Sequence, residues 1–140
     1  MSKVAIVFWS ATGNTETMAN CIAEGAGANG TIVPCTEMTP AKLAEFDVVA
    51  FGCPAMGAEQ LEESEFEPMF AALEGSLNGK KIALFGSYGW GDGQWMRDWA
   101  QRAQDDGAQL FSEEGLICNE TPDDDMQAAC RKLGADLVAW

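Results

Sequence analysis

Five stretches of the chain are apolar at almost every position, and each predicts a strand. KVAIVFW (3 to 9) is a β-branched and aromatic run without polar alternation, the pattern of a strand buried on both faces of a sheet. TIVPC (31 to 35) is shorter, and Pro34, which cannot donate to a ladder, suits a sheet edge. DVVAFG (47 to 52) and KKIALFGS (80 to 87) repeat the fully apolar pattern, and a last strand lies within AQLFSEEGLICN, interrupted near Gly115. Between them the period becomes helical. Met18, Cys21, Ile22 and Gly25 share a face in ETMANCIAEG, and Thr39 caps a short helix that Pro40 opens in TPAKLAEF. ESEFEPMFAALEG reads as a helix with Pro68 in its first turns, and QWMRDWAQRAQDDG is amphipathic, with Trp95 and Trp99 four residues apart. The final helix, TPDDDMQAACRKLGADLVAW, has Thr121 as its expected cap, three aspartates at the positive helix end, and Met126, Cys130, Leu133 and Leu137 facing inward. Five strands alternating with five helices imply an α/β fold, a doubly wound, five-stranded parallel sheet covered on both faces in a three-layer sandwich. No repeat, low-complexity tract or linker interrupts the alternation, so residues 1–140 are expected to form one domain.

Charge changes the picture most. The chain has 22 Asp and Glu against 8 Lys and Arg, a formal −14. That balance serves solubility, and it also suits a carrier that docks transiently on basic partner surfaces. It disfavours nucleic acid and anionic membrane, both of which attract positive charge. There is no histidine, and the cysteines at 21, 35, 53, 118 and 130 never form a C-x-x-C pair. Those two facts remove most zinc sites, clustered ferredoxin spacings and His-dependent triads. Scattered cysteines fit a reducing compartment, where they act as small hydrophobes. The apolar run after MSK is too short for a signal-peptide core and nothing later approaches a membrane span, so a cytoplasmic protein is expected.

Ligands of doubly wound sheets sit beyond the carboxyl ends of the strands, where the strand order reverses. The loops after the first, third and fourth strands are therefore the ones to inspect. The first, WSATGNTE (9 to 16), offers hydroxyls at Ser10, Thr12 and Thr15, the Asn14 amide and Gly13 at the start of a helix, without a single Lys or Arg. That is a cradle for one esterified phosphate, built from dipoles and neutral donors. It is neither a G-K-[ST] loop nor a G-x-G-x-x-G fingerprint, and an ordinary capped turn favours Thr and Asn as well. The second is CPAMGAEQLEESEFE (53 to 67), with the polarisable Met56. The third, SYGWGDG (87 to 93), holds Trp90 between Gly89 and Gly91, the largest apolar side chain on the most flexible backbone. Trp90 and Met56 together form a sandwich for a flat ring, so the three loops describe a ligand with one phosphate end and one aromatic end, a mononucleotide-like cofactor.

SATGNT, CPAMGAEQLEESEFEP and LFGSYGWGDGQWMRDW, in that order, resemble the flavodoxins of the short-chain clostridial and rumen-bacterial type, along essentially the whole chain. The resemblance implies strand order 2-1-3-4-5 and FMN at the reversal point, flavodoxins being themselves a standard example of that rule. It implies the phosphate on Ser10, Ala11, Thr12, Gly13, Asn14 and Thr15, helped by Ser87. Trp90 would cover one flavin face and Met56 the other. Glu59 would accept from the flavin N3–H, and backbone of Gly57 and Gly89 would address the N5 and pyrimidine edges. Pro54, Ala55, Ala58, Tyr88 and Gly91 complete the expected FMN contacts. Ala11 stands where relatives often have Gly, Pro54 brings no hydroxyl, and Ala58 stands where some relatives have Asp. In relatives the peptide after the glycine at 57 turns its carbonyl toward a protonated N5, and Ala58, if required to adopt positive φ in the unturned state, would favour the turned one.

The implied function is a monomeric, low-potential one-electron carrier that shuttles between semiquinone and hydroquinone in place of ferredoxin-type donors, and serves reductases and oxidoreductases with basic docking surfaces. A carboxylate ~10 Å from an added negative charge opposes it by about 0.4 to 1.7 kcal/mol at effective dielectrics of roughly 80 to 20. Since about 1.4 kcal/mol is ~59 mV for one electron, several such charges drag the second reduction to low potential. The acids from Glu59 to Glu67, Glu62, Glu63 and Glu65 among them, serve a helix N-terminus and also suit a docking rim. Three other readings share the fold: a flavin-dependent reductase, a module without FMN, and a receiver-like signalling module. The last needs acids after the first strand and an Asp after the third, where Ser10–Thr15 and Cys53-Pro54 stand.

Overall fold

The computed structural model describes all 140 residues. Its parallel sheet contains β1 (Val4–Phe8), β2 (Gly30–Ile32), β3 (Val48–Gly52), β4 (Lys81–Tyr88), β5 (Gln109–Leu110) and β6 (Leu116–Asn119). The order is β2-β1-β3-β4-β5, with β6 also on β4, so the reversal lies between β1 and β3 as expected. Six strands replace the expected five. Phe111–Gly115 leave the sheet after Leu110, and pairing resumes at Leu116 opposite Phe85. Three residues more than the ladder can absorb lie opposite Ala83 and Leu84, which splits one strand into two short pieces.

The helices are α1 (Asn14–Ala26), α2 (Pro40–Leu43), α3 (Phe66–Leu73), α4 (Gln94–Asp105) and α5 (Asp124–Ala139). Thr39 caps α2 as expected, accepting from the Lys42 N–H at 3.1 Å. The cap of α5 is Asp123 rather than Thr121: its carboxylate accepts from the Met126 N–H at 2.8 Å, and Thr121 lies outside the helix. Both residue types suit a cap; the extended backbone at Asp123 (φ −82°, ψ −177°) puts the turn into helix there.

Because successive side chains of a strand face opposite ways, each buried strand feeds two cores. Val4 and Ile6 pack under α1 and α5, while Ala5 and Val7 pack under α3 and α4. On the first face α1 and α5 lie almost backbone to backbone: a Cβ on Gly134 would stand 2.0 Å from the Ile22 carbonyl oxygen, and one on Gly25 1.8 Å from that of Arg131. On the second, Phe66 and Phe70 stack at 6.4 Å, while Phe51–Phe70 (5.3 Å) and Phe66–Trp99 (5.5 Å) meet edge to face. This aromatic cluster ties α3 and α4 to β3, and so fixes where the second and third loops begin and end. All five cysteines are free and buried among these cores, as small hydrophobes.

Candidate functional site

Hydrogen bonds draw the three loops together at the carboxyl end of the sheet. The Trp9 N–H donates to the Gly52 carbonyl at 3.0 Å and the Ala55 N–H to the Ser87 carbonyl at 3.0 Å. Thr15 Oγ1 and Ser87 Oγ, both buried, lie 2.8 Å apart, and the Ser87 N–H donates to Thr15 Oγ1 at 3.3 Å. The Trp95 indole Nε1–H reaches the Cys53 carbonyl at 3.1 Å. That contact was not legible in the sequence, where Trp95 reads only as core.

In the first loop Ser10 folds back on its own turn, its Oγ accepting from the Gly13 N–H at 3.1 Å and the Glu16 N–H at 3.3 Å. Gly13 is left-handed (φ 96°) and α1 has no side-chain cap. The N–H groups of Ala11, Thr12, Asn14 and Thr15 find no acceptor in the protein, and the Thr12 and Asn14 side chains are free of protein partners. Four unpaired amides and free polar side chains at a helix N-terminus, with no cation, form a receptor for an oxyanion of modest charge. The residues present fit the phosphate end of FMN.

The second loop is a tight hairpin. Met56 and Gln60 exchange N–H···O bonds of 2.9 Å each, and Gly57, Ala58 and Glu59 form the turn. Positive φ falls on Gly57 (49°) and on Glu59 (52°), not on Ala58. The strain expected at Ala58 is therefore carried by a glutamate in this turn. Gly57 and Ala58 are exposed, with Pro54, Ala55 and Met56 half-buried beside them. In the third loop Trp90 is 59% exposed. Tyr88 turns the other way and packs on Trp95 at 5.4 Å, so its ring belongs to the core and only its backbone to the loop. Gly89 has open space where a Cβ would be, and Gly91 (φ 83°) lies under the Glu59 carboxylate.

Two features escaped the sequence reading. Glu62 is buried, and its oxygens accept from the N–H groups of Ser64 (2.7 Å), Glu65 (2.8 Å) and Phe66 (2.9 Å) and from the Ser64 hydroxyl. Burial opposes its charge, but these bonds outweigh burial and hold the carboxyl at about 2. It anchors the second loop to the start of α3, a role hidden in a run of similar glutamates. The other is the turn after β6, where Glu120 (φ 60°) donates its N–H to the Tyr88 carbonyl at 2.7 Å and so joins the same end of the sheet. Nothing in the local sequence marks it. A cavity of about 310 Å³ lies elsewhere, between the interrupted strand and α5, lined by Leu84, Phe111, Leu116 and Leu133.

Fold and site together define a doubly wound α/β protein with an anion receptor at its first helix and an exposed aromatic plane nearby. The flavodoxin family model matches residues 6–133. The chain is 48% identical to the flavodoxin of Megasphaera elsdenii over 134 residues, 94% of this chain and 95% of that one. It is 46% identical to that of Clostridium beijerinckii over 136 residues, 95% and 97% of the two chains. The solution structure of two-electron reduced Megasphaera elsdenii flavodoxin superposes with a TM-score of 0.87 at 46% identity, covering 98% of this chain and 99% of that one. The chain belongs to the flavodoxin family, FMN-binding electron carriers rather than catalysts.

Proposed function

We propose that residues 1–140 act as a single domain that carries one electron at a time, at low potential, through FMN held by the three loops. FMN supplies the redox chemistry, and the chain binds, orients and tunes it. The amides and polar side chains of Ser10–Thr15, with Ser87 beneath them, hold the phosphate. Met56 and Trp90 enclose the ring, backbone of Gly57, Gly89 and Gly91 addresses its polar edges, and Glu59 accepts from N3–H. Pro54, Ala55, Ala58 and Tyr88 complete the wall through their backbone. The observation that carries this reading is the set of unpaired amides at α1, hydrogen-bonded through Thr15 and Ser87 to the loop that exposes Trp90.

The formal charge of −14 opposes each added electron and sets the low potential. Glu63, Glu65 and Ala58 are exposed beside the site, a surface suited to transient docking by basic reductases and oxidoreductases of the cytoplasm, with the carrier as a monomer. No helix is long and apolar enough to cross a membrane. A stand-alone reductase of this fold is not favoured.

Anaerobic reductive titration followed by visible absorbance tests the proposal. A yellow protein that takes up electrons in two separated stages, with a long-wavelength band after the first, is the expected result. Bleaching in one stage, or turnover of NAD(P)H without a partner, would overturn it. An on-rate for basic partners that ignores ionic strength would remove the docking surface.

A further inference from the structure

We infer that Glu59 is a positioning residue that latches the second loop to the third by capping α4, and so sets the gap between Met56 and Trp90; this rests on the proposed FMN reading of the site. Helix α4 has no cap of its own. Its N-cap is Gly93, no side chain accepts there from within the third loop, and its first turn contains no acid. The acceptor comes from across the cleft instead: Glu59 Oε1 takes the Gln94 N–H at 3.2 Å.

Two further observations show that this contact is built in. Glu59 is one of only two non-glycine residues with positive φ (52°), a conformation an L residue adopts at a cost. Opposite it, Gly91 leaves the space the carboxylate occupies, since a Cβ there would stand 2.4 Å from Glu59 Oε1. Met56 pairs with Gln60 in the hairpin that carries Glu59, and Trp90 precedes Gly91. The carboxylate therefore spans the two segments that face the ring. A carboxylate has four lone-pair sites, so Oε1 can hold α4 while Oε2 remains free for another donor.

The geometry separates position from charge. Glu59→Gln keeps an acceptor for Gln94, Glu59→Ala removes it, and Gly91→Ala evicts the carboxylate while leaving it intact. Amide hydrogen exchange at Gln94 in the FMN-loaded protein, FMN affinity by flavin fluorescence, and the visible circular dichroism of the bound flavin are the readouts. Glu59→Ala should speed Gln94 exchange and weaken FMN by about tenfold each, and alter the dichroism, as loss of a helix cap predicts. Glu59→Gln should leave the Gln94 exchange near that of the unaltered protein, because the amide oxygen still accepts from the Gln94 N–H. Gly91→Ala also strains the φ 83° backbone, so it should weaken FMN in both backgrounds, but by about tenfold less in the Glu59→Ala background, where the shared contact is already broken. Unchanged Gln94 exchange in Glu59→Ala, or an equal Gly91→Ala penalty in both backgrounds, would overturn the latch. Failure of the unaltered protein to bind FMN would sink the reading of the site instead, and Gln94 exchange in Glu59→Ala would still report on the cap.

Discussion

The two ends of the sheet are built on opposite rules. At the amino end the chain closes on itself. The Lys3 N–H meets Asp47 Oδ2 at 2.8 Å, the Lys3 carbonyl accepts from Asp47 and Val48, and Lys80 Nζ donates to the carbonyls of Leu43 (3.0 Å) and Phe46. Lys81 Nζ donates to the Trp140 carbonyl at 3.3 Å and lies over its ring at 5.3 Å. At the carboxyl end amides at α1 are left unpaired, both non-glycine residues with positive φ, Glu59 and Glu120, are found, and Trp90 stands in solvent. Cations are sparse there too: segments 9–16, 53–67 and 87–93 contain no Lys or Arg, and Arg97, which reaches the third loop, is paired with Asp92 at 3.0 Å, while Lys3, Lys42, Lys80 and Lys81 gather at the other end. The helices that follow parallel strands turn the positive ends of their dipoles toward the carboxyl end of the sheet, so an anion is welcomed there without a fixed positive charge. One end spends its polar groups on stability and the other keeps them for a ligand.

The largest break in this contrast should come from Glu62, a buried site-end carboxylate whose hydrogen bonds all stay within the protein. Glu62→Ala leaves three amides at the start of α3, the buried Phe66 N–H among them, without acceptors and should cost about 3 kcal/mol in urea unfolding at pH 7. Its carboxyl is held at about 2, below the ordinary value of 4.5, so its contribution is complete above pH 4.5 and fades as pH falls toward 2. Unfolding curves of the native protein and Glu62→Gln should therefore converge in acid. Curves that stay equally far apart at every pH would remove the charge from the explanation.

Trp90→Ala sharpens the contrast from the other side. Loss of one stacked face should weaken FMN about 10- to 100-fold by fluorescence titration, a cost of roughly 1 to 3 kcal/mol. Unfolding of the cofactor-free protein should move by less than about 0.5 kcal/mol, because the side chain is exposed. Lys80→Met is the mirror image. It removes two donors to backbone carbonyls and should cost about 1 to 2 kcal/mol in stability, with FMN affinity within about twofold of native. A Lys80→Met protein that loses FMN affinity would show that the two ends are coupled through the sheet.

The smallest effect concerns the ion-pair cluster that joins α3 to the last turn of α4. Arg102 forks onto Glu67 (2.7 and 2.7 Å) and Glu74 (2.6 and 3.0 Å), which holds the Glu74 carboxyl below its usual range. Asp106 is half-buried beside Glu74, its Oδ2 without a hydrogen-bond partner, and the neighbouring Glu74 carboxylate together with burial raises its pKa from 3.8 to about 6. The folded protein then holds a proton that the unfolded chain has released, so stability falls as pH rises from about 4 to 6. Asp106→Asn should gain at most about 1 kcal/mol above pH 6, after allowance for solvent screening, and nothing below pH 4. A gain that persists in acid would point to packing rather than charge.

Fully apolar runs made the strands legible, because burial on both faces removes the alternation that otherwise confuses strand with loop. The loop chemistry was legible too: SATGNT, Met56 and Trp90 all fall on the end of the sheet where the sequence put them. The fifth strand was seen as broken at Gly115, but not as two strands, since only the ladder with β4 shows where pairing stops and resumes. Thr121 and Asp123 were equivalent as caps until backbone conformation chose between them.

Glu59 and Glu62 mark the boundary most clearly. In the sequence they are two acids in one acidic run, and composition treats them alike. The sequence by itself determined the alternation of elements, the negative charge, and the meeting of SATGNT, Met56 and Trp90 at one sheet edge, because each depends on residue type or on local periodicity. Only the tertiary structure decided that Glu62 turns inward to hold α3 while Glu59 crosses to α4, because a carboxylate acts through the donors it meets, and those are set by how the loops and helices pack.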